Sequence, residues 1–355
     1  MTRFAALIVA AALVAPSAAR AQSSWGLSVN STGTLVFCDD ARGRVWMVEH
    51  GTASEIMDNT YCHAVITMDE GVAHGEALLP TSSTTFSRAL WRLGPTGQPQ
   101  FTLGPTTSPD SSEWLVRDPD GRMYAWNGVT NGSQYSQITR RAPDGSVQRL
   151  AGDVWGQRDG TGTDAALGRV AGLALRPDGT LLVLDSGNLR EIDPDGRVRT
   201  LARAVATDRP GAAKYQVGLW NQELGIASDL DGSALIVDPV AGRVLRVDRL
   251  GRRNVVWQSG GIADLLTSGR WGWRPEGVAR QGDAYFVLDA WPLPGIFADL
   301  VGSPRVYRVG LDGSVSSVVA IGDWITRGEV LLAIIVLWSI YRGWSRARRR
   351  APAAR

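Results

Sequence analysis

Seven carboxylates stand at the ends of short apolar runs. Glu70, Glu113 and Glu276 each immediately precede one (Gly71-Val72-Ala73, Trp114-Leu115-Val116 and Gly277-Val278-Ala279), and Asp39, Asp185, Asp238 and Asp289 each close one. If these runs pack side by side, their carboxylates converge on one face. Converging carboxylates bind Ca²⁺ or another divalent cation, provided further oxygen atoms complete the shell. The alternative is that the glutamates are solvated loop residues and the aspartates cap turns. Other chemistry is sparse. Cys38 and Cys62 are the two cysteines, so no Cys-based zinc set can be assembled. His50, His63 and His74 fall within one short stretch at irregular spacing, which suits turn or surface residues. No nucleophile elbow, phosphate-binding loop or dinucleotide fingerprint is present.

The elements that carry these residues repeat. Gly172–Asp185 reads as a short apolar strand, a Pro177-Asp178-Gly179 turn and a second strand ending in Asp. The same pattern begins at Gly26, Gly225 and Gly277, with Trp114 in the glycine position of another copy and a weaker copy at Gly71. A second hairpin follows each first one, for example Leu189–Ile192 before Pro194-Asp195-Gly196. Gly and Asp at these turns tolerate the backbone angles that tight hairpins need. Four short strands recurring every 43 to 58 residues are the signature of propeller blades. The fold expected is therefore all-β, a six-bladed β-propeller with four-stranded blades over residues 22–320.

The ends differ from the middle. Residues 1–21 read as a signal peptide: Arg3, an apolar run over 4–14, and Ala19-Arg20-Ala21 before the predicted cleavage point. Residues 321–355 hold the apolar run Val330–Tyr341, followed by Arg342, Arg346, Arg348, Arg349, Arg350 and Arg355. An apolar segment followed by an arginine cluster predicts a C-terminal hydrophobic helix that anchors the chain in a membrane, tail on the cytoplasmic side. A closing helix packed on the propeller is the other reading of the same run. The net charge of +2 averages an acidic middle with these basic ends, and the one dense basic patch is explained by topology, which argues against nucleic acid as a partner. An exported location permits a disulfide. Cys38 ends the second strand of the first unit and Cys62 lies in the connection towards the next, so a Cys38–Cys62 bridge is expected on one face, worth about 3 kcal/mol through chain entropy.

Gly152–Ala202 resembles an NHL repeat of the six-bladed propeller superfamily. The residues that carry the resemblance are Asp159-Gly160-Thr161-Gly162, Ala165-Ala166-Leu167, Gly172-Leu173-Ala174, Pro177-Asp178-Gly179, Leu184–Asn188 and the stretch from Gly196 to Leu201. Pro275-Glu276-Gly277 also resembles the Glu-Gly pair of the gluconolactonase-like propellers. That resemblance implies a divalent ion held by Glu, Asn and Asp that polarises a lactone and activates water. Only the Glu carries over, onto Glu276. Two functions follow as expectations. The first is a non-enzymatic platform, exported and tethered to the periplasmic face of a bacterial inner membrane, that binds a protein or envelope ligand. The alternative is a divalent-metal-dependent hydrolase or lactonase with Glu276 as a metal ligand.

Overall fold

Runs of Val, Leu, Ile and Phe without helical spacing suit strands covered on both faces. In the computed structural model, Leu35–Asp39, Leu181–Asp185 and Ala234–Asp238 are such strands, buried at every position. The structure describes residues 26–321 except 31, 40–42, 59–60, 68–72, 81–85, 94–98, 107–112, 119, 129–134, 207–224, 240, 259–273 and 291–303. The expected signal peptide and nearly all of the expected 321–355 tail lie outside the described residues. Among the described residues no helix is long and apolar enough to cross a membrane.

The first sheet comprises β1 (Leu27–Val29), β2 (Leu35–Asp39), β3 (Arg44–Glu49) and β4 (Thr52–Met57). The second comprises β5 (Tyr61–Thr67), β6 (Ala73–Pro80), β7 (Phe86–Leu93) and β8 (Pro99–Thr106), and the third β9 (Glu113–Arg117), β10 (Met123–Gly128), β11 (Ser136–Arg141) and β12 (Val147–Ala151). A short parallel pair, β13 (Val154–Trp155) and β15 (Ala166–Leu167), brackets β14 (Gly160–Thr161). The fourth unit holds β16 (Val170–Leu175), β17 (Leu181–Asp185), β18 (Asn188–Ile192) and β19 (Arg197–Ala202). Then come β20 (Ile226–Ser228), β21 (Ala234–Asp238), β22 (Arg243–Val247) and β23 (Arg253–Gln258), and last β24 (Arg274–Gln281), β25 (Ala284–Ala290), β26 (Arg305–Gly310) and β27 (Val315–Ala320).

The first strands neighbour one another in a closed cycle: β1 beside β5, then β9, β16, β20, β24 and back to β1. They line a common axis with the fourth strands outermost, which makes the fold a β-propeller. Closure between the last sheet and the first rests on side-chain packing. Leu27, Leu35 and Phe37 share one core with Phe286, Leu288 and Val306.

Two expectations are corrected. Six four-stranded blades were expected, and five sheets have four strands. The sheet of β16–β19 has five, because β14 adds to the outer edge of β19 with Gly160 opposite Val198. A two-residue strand carries no periodicity for the sequence to reveal. The second correction concerns Gly71. The first strand of its sheet is β5, and residues 68–72 fall between β5 and β6. Tyr61–Thr67 has no glycine and so did not match the repeat.

The glycines that open first strands have a steric cause. A Cβ on Gly225 would lie 2.7 Å from the Glu276 carbonyl oxygen, and one on Gly277 would lie 2.9 Å from Leu27 Cβ. Adjacent sheets approach so closely at the axis that only hydrogen fits. Antiparallel order then gives the fold two distinct faces. Turns within the first and third strand pairs lie on one face, while second strands end, and new sheets begin, on the other.

Candidate functional site

Glu276 and Asp289 meet on the face where sheets begin. Pro275 pairs with Asp289 and Gly277 with Leu288, so Glu276 is the extra residue of a bulge opposite the end of β25. Bulges re-aim side chains and cluster at functional positions. Both residues are buried, Glu276 at 8% exposure and Asp289 at 2%. Neither Asp289 carboxylate oxygen has a hydrogen-bond partner among the described residues. Burial, and after it the neighbouring Glu276 charge, push the Asp289 carboxyl well above the usual carboxylate range, with Arg305 opposing. Arg305 stands directly across from Asp289 in β26. The reading of Glu276 as a solvated loop residue is therefore overturned: it lies inside a strand, shielded from solvent.

The other aspartates that end second strands are engaged within their own sheets. Asp185 accepts from Arg190 Nη1 at 2.7 Å, from the Gly168 amide at 2.9 Å and from Ser186 Oγ at 3.1 Å. Its carboxyl is still raised, because burial outweighs Arg190 and the remaining donors. Buried Arg190 also donates to Asp159 and to the carbonyl oxygens of Ala166 and Arg158, which straps the β13–β15 segment onto the sheet. Asp238 accepts from Arg243 Nε at 3.2 Å and from the Ala241 amide at 3.2 Å. Asp39 is buried and accepts a long bond of 3.4 Å from Trp46 Nε1. Among the described residues no group of three or more His, Cys, Asp or Glu side chains is placed to hold a metal. Asp185 and Asp238 are thus each paired with an arginine of the third strand of their own sheet, Arg190 and Arg243.

Glu113 begins β9, at the register step opposite Trp126, with its side chain outside the described residues. Glu70 itself lies outside them, in the interval between β5 and β6 rather than before a first strand as expected. Sequence reasoning missed His63. In β5 the register shifts between Cys62 and Ala64, which makes His63 the bulge residue at the step that Glu276 fills in β24. His63 and His74 lie in β5 and β6 rather than in turns, while His50 does occupy a turn, with φ of 50°. Aligning Cys62-His63-Ala64 with Pro275-Glu276-Gly277 was the signal available, hidden by the false match at Gly71.

Cys38 is buried in β2 among Val36, Val45 and Met57, and β2 neighbours β5, the strand that holds Cys62. Cys62 is thus a strand residue rather than part of a connection, and its side chain lies outside the described residues. No free cysteine occurs among the described residues.

A polar hub on the opposite face also escaped the sequence. Asp229, in the turn after β20, accepts from Arg280 Nε and Arg246 Nε at 2.8 Å each, from Tyr285 Oη at 3.1 Å and from the Leu230 amide at 2.8 Å. Burial alone would raise its carboxyl, but these donors outweigh burial and hold it below the usual range. Asp229 looks like an ordinary turn residue because its partners lie up to 56 positions away.

No known family profile matches the chain. A virginiamycin B lyase from Nocardia farcinica (strain IFM 10152) is 28% identical over 231 residues, which is 64% of this chain and 67% of the lyase. Among solved structures, a gluconolactonase from Xanthomonas campestris superposes with a TM-score of 0.52 at 18% identity, over 77% of this chain and 84% of its own. A protein of unknown function from Bacteroides thetaiotaomicron VPI-5482 does so with a TM-score of 0.51 at 14% identity, over 76% and 68%. The two structural likenesses agree with the strand topology on one point, the β-propeller fold.

Proposed function

We propose that this chain is a divalent-cation-dependent propeller hydrolase of the lactonase type, with Glu276 and Asp289 holding the cation. The observation that carries the reading is the Asp289 carboxyl, buried beside Glu276 with neither oxygen hydrogen-bonded. A buried polar group without a partner costs about 1–3 kcal/mol and calls for an explanation. Two neighbouring carboxylates offer hard oxygen donors of the kind Ca²⁺ and Mn²⁺ take, with backbone carbonyl oxygens and water to complete the shell. The residues present fit such an ion. When bound, a divalent cation polarises a carbonyl and lowers the pKa of water. The chain's own part is to fix two ligands on rigid strands, keep bulk water from them and balance their charge with Arg305. The lactonase class rests on the resemblance of Pro275-Glu276-Gly277, and catalysis in general is supported by the 28% identity to an enzyme, the Nocardia lyase.

The test is ring opening of δ-gluconolactone by protein stripped with chelator and then supplied with Ca²⁺, Mn²⁺ or Zn²⁺. A cation-dependent rate that Glu276→Gln abolishes supports the reading. Absence of cation-dependent turnover counts against it.

A second reading is an exported NHL-type binding platform, anchored by residues 321–355, that presents this face to a protein or envelope ligand. It draws on the resemblance of Gly152–Ala202 to an NHL repeat. Recovery of the full chain in membranes after alkaline extraction, and its loss on deleting 322–355, supports the tether. We also propose the Cys38–Cys62 bridge, consistent with the adjacency of β2 and β5.

A further inference from the structure

The last two sheets enclose a cleft of about 580 Å³ on the face opposite Glu276. Its floor is the polar hub: Asp229, Arg246, Arg280 and Tyr285 all line it. Its rim is apolar and open to solvent, with Leu230 67%, Leu311 61% and Val255 49% exposed. Such a rim is unusual on hairpin turns, where polar residues prevail.

Among the described residues the floor holds a buried donor without a partner. Arg280 is only 7% exposed. Its Nε is committed to Asp229, and its guanidinium carbon lies 4.8 Å from the centre of the Tyr285 ring. Its Nη1 is buried and has no hydrogen-bond partner among the described residues. Arg246 directs Nε to Asp229 and Nη2 to Asp231, and Tyr285 donates to Asp229. Two arginines and two aspartates leave the floor without net charge. An unpartnered guanidinium N–H on a residue that lines a cleft favours an anionic acceptor, through a charge-assisted hydrogen bond. Leu230, Leu311 and Val255 then cover an apolar body attached to that acceptor.

We infer that the cleft binds a small aliphatic monocarboxylate, its carboxylate on Arg280 Nη1 and its chain against Leu230, Val255 and Leu311. No residue of this cleft belongs to the Glu276–Asp289 pair, so this inference stands or falls independently of the proposed activity.

The probes are octanoate, octylamine and 1-octanol, titrated by calorimetry into the intact protein. Octanoate is expected to bind saturably, while the amine and the alcohol bind at least about tenfold more weakly. Leu311→Asp changes an exposed rim residue, so the fold is retained. It is expected to weaken octanoate about tenfold with Tm unchanged. Arg280→Lys is expected to remove the preference for octanoate over the alcohol. Absence of saturable octanoate binding up to about 10 mM overturns the inference. Equal binding of octanoate and octylamine, or binding unaffected by Leu311→Asp, also overturns it.

Discussion

Glu276 sits in a bulge of β24 next to Pro275, the residue that pairs with Asp289, so that two carboxylates are withdrawn from water on the face where the sheets of the propeller begin. Burial and the neighbouring Glu276 charge both disfavour the ionised form of Asp289, and Arg305 opposes them. The bulge is what creates the pairing, since a regular register would set one residue of β24, not two, against the end of β25.

The glycines at the axis should be intolerant of even a methyl group. Gly225→Ala places a Cβ 2.7 Å from the Glu276 carbonyl oxygen. Overpacking of this kind costs about 1–3 kcal/mol. The expected result is a lower urea midpoint together with weaker cation binding, because the displaced backbone is that of Glu276. Gly282→Ala, in an open turn on the other face, serves as the control and should leave cation binding unchanged.

Arg190 should be among the most sensitive positions in the fourth unit. Arg190→Met leaves Asp185 buried without its countercharge and frees Asp159 and the carbonyls of Ala166 and Arg158. Breaking a buried pair from one side costs about 3–5 kcal/mol. Adding Asp185→Asn to Arg190→Met should restore part of that loss in a double-mutant cycle read by chemical denaturation.

Acid should act through Asp229. Its carboxyl is held below the usual range in the folded chain, so the native state binds fewer protons than the unfolded one. The stability this contributes is complete above the unfolded value of about 3.9, and it is lost as pH falls through the folded value. Asp229→Asn lacks the contribution. The gap in denaturation midpoint between wild type and Asp229→Asn should therefore be constant near neutrality and shrink below about pH 4. A gap that widens on acidification contradicts the assignment.

The proposed Cys38–Cys62 bridge predicts no reactive thiol before reduction and two after it. Reduction should cost about 3 kcal/mol on the chain-entropy model. Two thiols that react without reductant contradict the bridge.

Much of the fold was legible from residues that obey local rules. Pro177-Asp178-Gly179 and Pro194-Asp195-Gly196 mark hairpins because their glycines take positive φ, 83° and 85°. The runs ending in Asp185 and Asp238 mark strands because every side chain is buried. What failed lacked a local signal. Tyr61–Thr67 has no opening glycine, so Gly71 was mistaken for the start of that unit. Gly160 and Thr161 form a strand only because β19 offers an open edge. At the candidate site, Glu276 was singled out from its place before a glycine, and Asp289 from its place at the end of a strand. Their pairing was not visible, because it depends on a shift of register. The partners of Asp185 and Asp238 were hidden for a related reason: each is paired with an arginine five residues later, which sequence position alone did not connect to it.

The most direct test of the central claim is calorimetric titration of chelator-treated protein with Ca²⁺, Mn²⁺ and Zn²⁺, repeated on Glu276→Gln and Asp289→Asn. If these two side chains hold a cation, wild type binds at least one of the three ions with a stoichiometry near one, and a hundredfold excess over Kd stabilises it by about 2.7 kcal/mol. Both variants should remain folded and lose that binding. Heat-silent titrations of folded wild type with all three ions, or equal binding by wild type and Asp289→Asn, contradict the claim.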